Sequence, residues 1–267
     1  MSDVLTQIIE GVRIDLAARE AATPAADLRA RLADVTPALD PMPHFRAPGS
    51  SVISEVKRKS PSKGALADIP DPAELAQAYA RGGAGAISVL TEERRFGGSL
   101  ADLRAVRAAV DVPVLRKDFI VTEYQLLEAR ANGADMALLM CSAITDDGEL
   151  RRLYDFAGEL GLTVLLEIHD ELEAERAVDL GAELIGVNAR NLKTLEIHDD
   201  TFGRLAPLIP DHRVKVAESG IFSPADVQRF VNEGARAVLV GEALVKDGDP
   251  EVAVRAMTGL RAGEVKA

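Results

Sequence analysis

The amino-acid sequence predicts an α/β protein, a (β/α)8 barrel of the TIM type with an N-terminal helical extension. Three observations predict it. The chain has 267 residues, the usual size of one such barrel. Short apolar runs recur after residue 50, and segments with helical signals separate them, as in βα units around a parallel sheet. We expect one domain over residues 1–267, with the extension at 1–48 and the barrel at 49–267.

Eight apolar runs are the candidate barrel strands. They follow one another at intervals of roughly 20 to 35 residues, enough for one strand and one helix each. The runs cover residues 51–57, 85–91, 112–118, 136–141, 163–169, 183–190, 213–219 and 237–242.

The segments between these runs carry signals for the start and end of helices. Asp71-Pro72 and Ser223-Pro224 each place a capping side chain before a proline in the first helical turn. Glycines stand between helical patterns and the next strand, where a left-handed C-cap is expected. These glycines are Gly133, Gly161, Gly181 and Gly234.

The segment before the first strand predicts a helix with one apolar face, followed by a proline-rich loop over residues 36–50. The apolar positions are Leu5, Ile8, Ile9, Val12 and Leu16. We interpret this helix as one that flanks or plugs the barrel, with a partner-binding helix as the alternative.

Composition excludes several functions. The net charge of −12 argues against nucleic acids and anionic membrane surfaces, because binding to either needs clustered Lys and Arg. No apolar stretch approaches the length of a membrane span, and Asp3 and Glu10 interrupt any signal peptide. The single Cys141 excludes an internal disulfide and a cysteine-based metal site. We expect a cytoplasmic monomer, with weak association as the alternative, that uses no metal.

Charged and polar residues recur at the carboxyl ends of the predicted strands, where barrel enzymes place their active sites. A solvated strand end would explain one such residue but not five strands with them. Opposite charges at one mouth allow the pKa tuning that acid–base catalysis needs. The candidate residues are Glu55, Lys57, Lys117, Glu167, Asn188, Arg190 and Glu218.

The last two strands predict a phosphate site. Ser219-Gly220 follows the seventh strand and Gly241 the eighth, and backbone N–H groups of these loops commonly bind phosphate in barrels. Ser60, after the first strand, adds a hydroxyl donor. The four histidines, His44, His169, His198 and His212, lack metal-ligand spacing, and the acidic stretch 171–175 is interpreted as a solvated helix face.

Seven sequence blocks, spread over nearly the whole chain and in the same order, resemble the indole-3-glycerol phosphate synthase family. The first is VISEVKRKSPSKG at residues 52–64. The others are TEERRFGGS at 91–99, LRKDFI at 115–120, LEI at 166–168, GVNARNL at 186–192, AESGI at 217–221 and VGE at 240–242.

The resemblance implies a reaction and its residues. The substrate would be 1-(2-carboxyphenylamino)-1-deoxyribulose 5-phosphate, closed to an indole with loss of CO2 and water and without a cofactor. Lys117 would be the acid for ring closure, and Glu167 with Lys57 the acid and base for dehydration. Glu55 and Glu218 would orient the lysines, and Asn188 would hydrogen-bond the substrate. Lys57 or Arg190 would bind the substrate carboxylate, and Glu242 would offer only its backbone N–H to the phosphate. The aromatic ring would be enclosed by Phe96, Phe119 and Leu192.

Two alternatives remain at this point. A strand-end lysine among charges also suits a Schiff-base lyase, in which Lys117 would be the nucleophile. A phosphate-sugar binding protein would keep the fold and lose the acid–base set. Barrels host many chemistries, so the fold alone does not separate these functions.

Overall fold

The computed structural model describes residues 4–60, 64–65, 69–191, 194–246 and 248–263, apart from the side chains of Ser60 and Ala65. Eight parallel strands close into a barrel, which confirms the predicted fold class. In chain order they are β1 (Ser51–Val56), β2 (Ala86–Leu90), β3 (Val114–Lys117), β4 (Met136–Met140), β5 (Thr163–Ile168), β6 (Leu184–Asn188), β7 (Val214–Glu218) and β8 (Ala237–Val240).

Each strand lies within its predicted apolar run, and β1 pairs in parallel with both β2 and β8, which closes the barrel. The helices are α1 (Val4–Ala22), α2 (Ala25–Arg31), α3 (Met42–Arg46), α4 (Pro72–Arg81), α5 (Leu100–Ala109), α6 (Glu123–Ala131), α7 (Asp147–Glu159), α8 (Glu171–Leu180), α9 (Thr201–Leu205), α10 (Pro224–Asn232), α11 (Glu242–Val245) and α12 (Pro250–Met257). None of the described helices is long and apolar enough to cross a membrane.

The helix boundaries follow from capping side chains. Asp71 accepts hydrogen bonds from the backbone N–H groups of Ala73 and Glu74, and Ser223 caps α10 in the same way, as predicted. Helices α5 to α8 and α12 are capped by Ser99, Thr122, Asp146, Asp170 and Asp249. The glycines expected after helices have positive φ angles of 76° to 103°.

The N-terminal segment packs against both ends of the barrel. Leu5, Ile8 and Val12 of α1 belong to the same apolar cluster as the barrel interior. Phe45 of α3 is fully buried in that cluster at the other end of the barrel. The neighbouring Arg46 forms an ion pair with Glu183, which lies just before β6. The segment therefore flanks and plugs the barrel.

Side chains that point into the barrel form layers from alternate strands. One layer, from β1, β3, β5 and β7, is apolar; its members are Ile53, Leu115, Leu165 and Val216. Two residues further along the same four strands, the strand register places a second layer above the first; its members are Glu55, Lys117, Glu167 and Glu218. We call this second set the charged layer.

We predict that Phe45→Ala lowers the free energy of unfolding by about 3–5 kcal/mol, because it removes a fully buried ring from the floor of the barrel. Urea unfolding of the variant and the wild type measures the difference. The turnover number of the folded variant should stay unchanged, since α3 lies at the end opposite the charged layer. A loss below about 1 kcal/mol would mean that α3 is not part of the cooperatively folded core.

Candidate active site

The charged layer borders a cavity at the carboxyl end of the barrel. Its three carboxyl groups are almost completely buried, and the Lys117 side chain is only 14% exposed. The same cavity is lined by the other strand-end residues that the sequence singles out, namely Lys57, Asn188, Arg190, Ser219, Gly220, Gly241 and Glu242, and by Phe96 and Phe119. The structure thus brings together nearly every candidate site residue.

Lys117 is held as an ammonium group among the carboxylates. Its Nζ lies 3.4 Å from Oε2 of Glu167 and 3.5 Å from Oε2 of Glu218. Burial lowers the pKa of Lys117, but the charges of Glu167, Glu218 and Glu55 outweigh burial and raise it. Lys117 therefore has protons to donate at neutral pH.

Glu167 and Glu218 lie beside the same ammonium group, yet their pKa values shift in opposite directions. Burial raises the pKa of Glu167, but Lys117, His169 and a hydrogen bond from Asn188 together lower it. Burial and the charge of Glu167 raise the pKa of Glu218 to about 8. Glu167 therefore ionises at a lower pH than Glu218, and such a difference is how paired carboxyl groups acquire separate acid and base roles.

Lys57 forms an ion pair with Glu55 at the edge of the cavity. Burial raises the pKa of Glu55, but the charges of Lys57 and Lys117 lower it, so this carboxyl is ionised. A Cβ atom at Gly241 would lie 2.9 Å from Oε1 of Glu55 and 3.5 Å from Nζ of Lys57. Glycine at this position therefore leaves room for the pair.

Asn188 and Arg190 lie at the end of β6. Oδ1 of Asn188 accepts hydrogen bonds from Oγ of Ser219, at 2.8 Å, and from the backbone N–H of Arg190, at 3.0 Å. This leaves the amide nitrogen of Asn188 as the donor to Glu167. Burial lowers the pKa of Arg190, and the charges of Glu242 and Glu55 oppose this effect.

Two phenylalanines form an apolar wall of the cavity. The ring centroids of Phe96 and Phe119 are 6.0 Å apart. Each is fixed through its backbone: the N–H of Phe96 donates to the buried Glu92 at 2.9 Å, and the N–H of Phe119 to Asp118 at 2.8 Å. Such a wall suits a flat aromatic group.

The loops after β7 and β8 form the end of the cavity where phosphate binding is predicted. Ser219 and Gly220 both have positive φ angles, 67° and 71°, a conformation that is uncommon for serine and often found at functional sites. Gly241 and Glu242 border the cavity from the next loop. The Ser60 side chain lies outside the described part of the chain, and so does Leu192.

The sequence interpretation missed three residues that shape the site. A Cβ atom at Gly186 would overlap Oε1 of Glu218, so glycine is required beneath that carboxyl. Ile8 reaches the cavity from α1. His169 lies with Nε2 3.2 Å from Oε1 of Glu167. The spacing of two residues on one strand, which identifies Glu55 with Lys57, would also have linked His169 to Glu167.

The fold and the site define an acid–base enzyme on a (β/α)8 barrel, with a binding cavity suited to an anionic aromatic substrate. The family model for indole-3-glycerol phosphate synthase matches residues 5–257. The chain belongs to the indole-3-glycerol phosphate synthase family, so the expected activity, a carboxy-lyase reaction of tryptophan biosynthesis, is confirmed.

Individual relatives agree with this membership. An indole-3-glycerol phosphate synthase from a Nocardioides species is 77% identical over 257 residues, which cover 96% of this chain and 98% of the relative. Indole-3-glycerol phosphate synthase 1 of Streptomyces coelicolor is 61% identical over 94% of this chain and 93% of its own. A solved thiamine phosphate pyrophosphorylase from Pyrococcus furiosus is 15% identical with a TM-score of 0.56, over 78% of this chain and 93% of its own, and this likeness concerns the fold alone.

We predict that Gly186→Ala lowers the turnover number at least tenfold, because the added methyl group displaces the Glu218 carboxyl from Lys117. Overpacking should also lower the free energy of unfolding by about 1–3 kcal/mol. Steady-state kinetics and urea unfolding measure the two effects.

Gly158→Ala is the matched control. Gly158 lies in α7, and no atom lies within 4 Å of the position that a Cβ atom would take there. Alanine at this position should therefore leave activity unchanged and stabilise the helix by about 0.5–1 kcal/mol. Wild-type turnover in Gly186→Ala would contradict the placement of Glu218 beside Lys117.

Proposed function

We propose that Lys117 is the general acid in the ring closure of 1-(2-carboxyphenylamino)-1-deoxyribulose 5-phosphate. The aromatic carbon that bears the carboxylate attacks the ketone carbon, and Lys117 transfers a proton from Nζ to the ketone oxygen. Loss of CO2 then returns the electron pair of the broken bond to the ring. The observation that carries this assignment is the buried Lys117 ammonium, 3.4 Å from Glu167 and 3.5 Å from Glu218.

Dehydration follows at the same site, with Glu167 as the base and Lys57 as the acid. Glu167 is held as a carboxylate, so it accepts a proton from the ring CH2 carbon adjacent to the carbon that bears the departing hydroxyl group. Lys57 donates a proton to that hydroxyl, which leaves as water, and the electron pair of the broken C–H bond completes the indole double bond. Glu55 holds Lys57 at the edge of the cavity through their ion pair.

The remaining candidate residues are proposed to hold the substrate. The phosphate takes the backbone N–H groups of Ser219, Gly220, Gly241 and Glu242, with Ser60 as a further donor. Lys57 or Arg190 binds the carboxylate, and Asn188 donates a hydrogen bond to the substrate. The rings of Phe96 and Phe119, together with Leu192, enclose the anthranilate ring. The support for this arrangement is that the described members of the set line one cavity.

We predict that Lys117→Ala lowers the turnover number by about 10²–10⁴-fold, the usual contribution of a positioned proton donor. Lys117→Arg should be equally impaired, because the guanidinium keeps the charge but is planar and larger, so it does not present a proton where Nζ of Lys117 does. Indole emission follows the reaction directly, since the chain has no Trp. Activity should persist in EDTA, because we propose that the side chains act without a metal.

The control for Lys117 is Lys246→Ala, at an exposed lysine, which should turn over at the wild-type rate. Lys117→Ala with more than a tenth of the wild-type turnover would remove Lys117 from the chemistry. Full activity in Lys117→Arg would show that only the positive charge is needed.

We also propose that the protein acts as a monomer in the cytoplasm. A net charge of −12 favours separate copies in solution, because like-charged molecules repel one another. Sedimentation equilibrium at physiological salt should give the mass of one chain, 28.4 kDa. A mass of twice that value, independent of concentration, would contradict the monomer.

A further inference from the structure

His169 lies just beyond β5, between two carboxylate groups. Its Nε2 is 3.2 Å from Oε1 of Glu167, and its Nδ1 is 3.1 Å from Oε2 of Glu173 in α8. The backbone N–H of His169 donates to the same Glu173 oxygen at 2.8 Å. Glu173 therefore fixes both the backbone and the ring of His169, and the ring contacts the charged layer through Glu167.

The surroundings keep the imidazole ring positively charged. Burial lowers the pKa of His169, but Glu167 and Glu173 outweigh burial and raise it to about 10. As an imidazolium, His169 has a proton on each nitrogen: Nδ1 donates to Glu173, and Nε2 lies within ion-pair distance of Glu167. It is a fixed cation at neutral pH.

Among the described residues, His169 does not line the cavity of the charged layer. It borders a neighbouring cavity together with Glu173, Arg176 and His198, whereas Glu167 lines the cavity of the charged layer. The contact of His169 with a residue of that cavity is its contact with Glu167, so we expect its effect on the reaction to pass through Glu167.

We propose that His169 is a positioning residue for Glu167: its imidazolium holds Oε1, directs Oε2 toward Lys117 and the substrate, and keeps this group a carboxylate. The proposal rests on the role of Glu167 as the base of dehydration. Glu173 completes the arrangement by fixing the imidazolium.

The reaction itself creates the need for such a cation. Ring closure removes a proton from Lys117, and Glu167 then loses the positive charge 3.4 Å away. Glu55 and Glu218 in the same layer, and the polar Asn188 on β6, supply no replacement charge. His169 remains cationic next to Glu167, so Glu167 stays ionised until dehydration requires it to accept a proton.

His169→Ala should lower the turnover number on the order of tenfold, typical of coupling between residues in contact, with little change in KM. Removing a cation raises the pKa of Glu167, so the acid limb of the turnover profile should move to higher pH by about one to three units. His169→Gln offers a neutral N–H donor to Glu167. It should regain part of the turnover while its acid limb stays shifted.

The matched control is His212→Ala, at an exposed histidine at the opposite end of the barrel, which should keep the wild-type turnover and acid limb. An unshifted acid limb in both His169 variants would overturn the proposal, whatever their turnover. Thermal unfolding shows whether each variant is folded. If His169→Ala does not fold, the acid limb of His169→Gln decides the outcome.

The Glu167→Gln background separates this proposal from the role of Glu167. If His169 acts through Glu167, adding His169→Ala to Glu167→Gln should cause no further loss of turnover. Normal turnover in Glu167→Gln alone would contradict the role of Glu167 and, with it, this inference. An impaired Glu167→Gln beside a normal His169→Ala would overturn only the inference about His169.

Discussion

The structure depends on the electrostatic balance of the charged layer, in which three carboxyl groups and one ammonium group occupy a buried layer of the barrel. Burying an unpaired charge is so costly that ionisable groups instead change protonation state. Here Lys117 lies within 3.5 Å of Glu167 and Glu218, and burial together with the charge of Glu167 raises the pKa of Glu218, so that Glu218 keeps its proton to a higher pH than Glu167. The close contacts that compensate these buried charges also place a proton donor, Lys117, beside a proton acceptor, Glu167.

The charged layer shows how the core of a barrel can change into a candidate active site. The layer below it, from the same four strands, consists of ordinary branched apolar side chains. On each of these strands, the residue of the apolar layer and the residue of the charged layer are two positions apart. Glycines make it sterically feasible: Gly186 leaves room for Glu218, and Gly241 leaves room for Glu55 and Lys57. The N-terminal segment completes the site, since Ile8 lines the cavity from α1.

Much of the fold could be predicted because its signals are local. Apolar runs mark the strands, and caps such as Asp71 and Ser223 mark where helices begin. The strand-end charges could be predicted as a set, since parallel strands in a barrel end at one face. The opposite pKa shifts of Glu167 and Glu218 could not, because they depend on distances between strands that are far apart in sequence.

The acidic start of α8 shows where the pattern misled. The run 171–175 predicts a solvated helix face, but Glu173 is buried, with 9% of its surface exposed, because its carboxylate accepts two hydrogen bonds from His169. A charged residue four positions after a strand-end histidine has no distinctive spacing in the sequence. Only the turn between β5 and α8 brings the two residues together.

The separation of acid from base in the charged layer requires that Glu167, the proposed base of dehydration, ionises at a lower pH than the neighbouring Glu218. Titration of 13C-labelled glutamate side chains by NMR measures this directly. The structure predicts one carboxyl that titrates at a pKa of about 8 and is absent from the spectrum of Glu218→Gln. If every glutamate titrated below about pH 6, close to the reference value for exposed carboxyl groups, burial and mutual charge would not separate the pKa values of the charged layer, which would contradict this account.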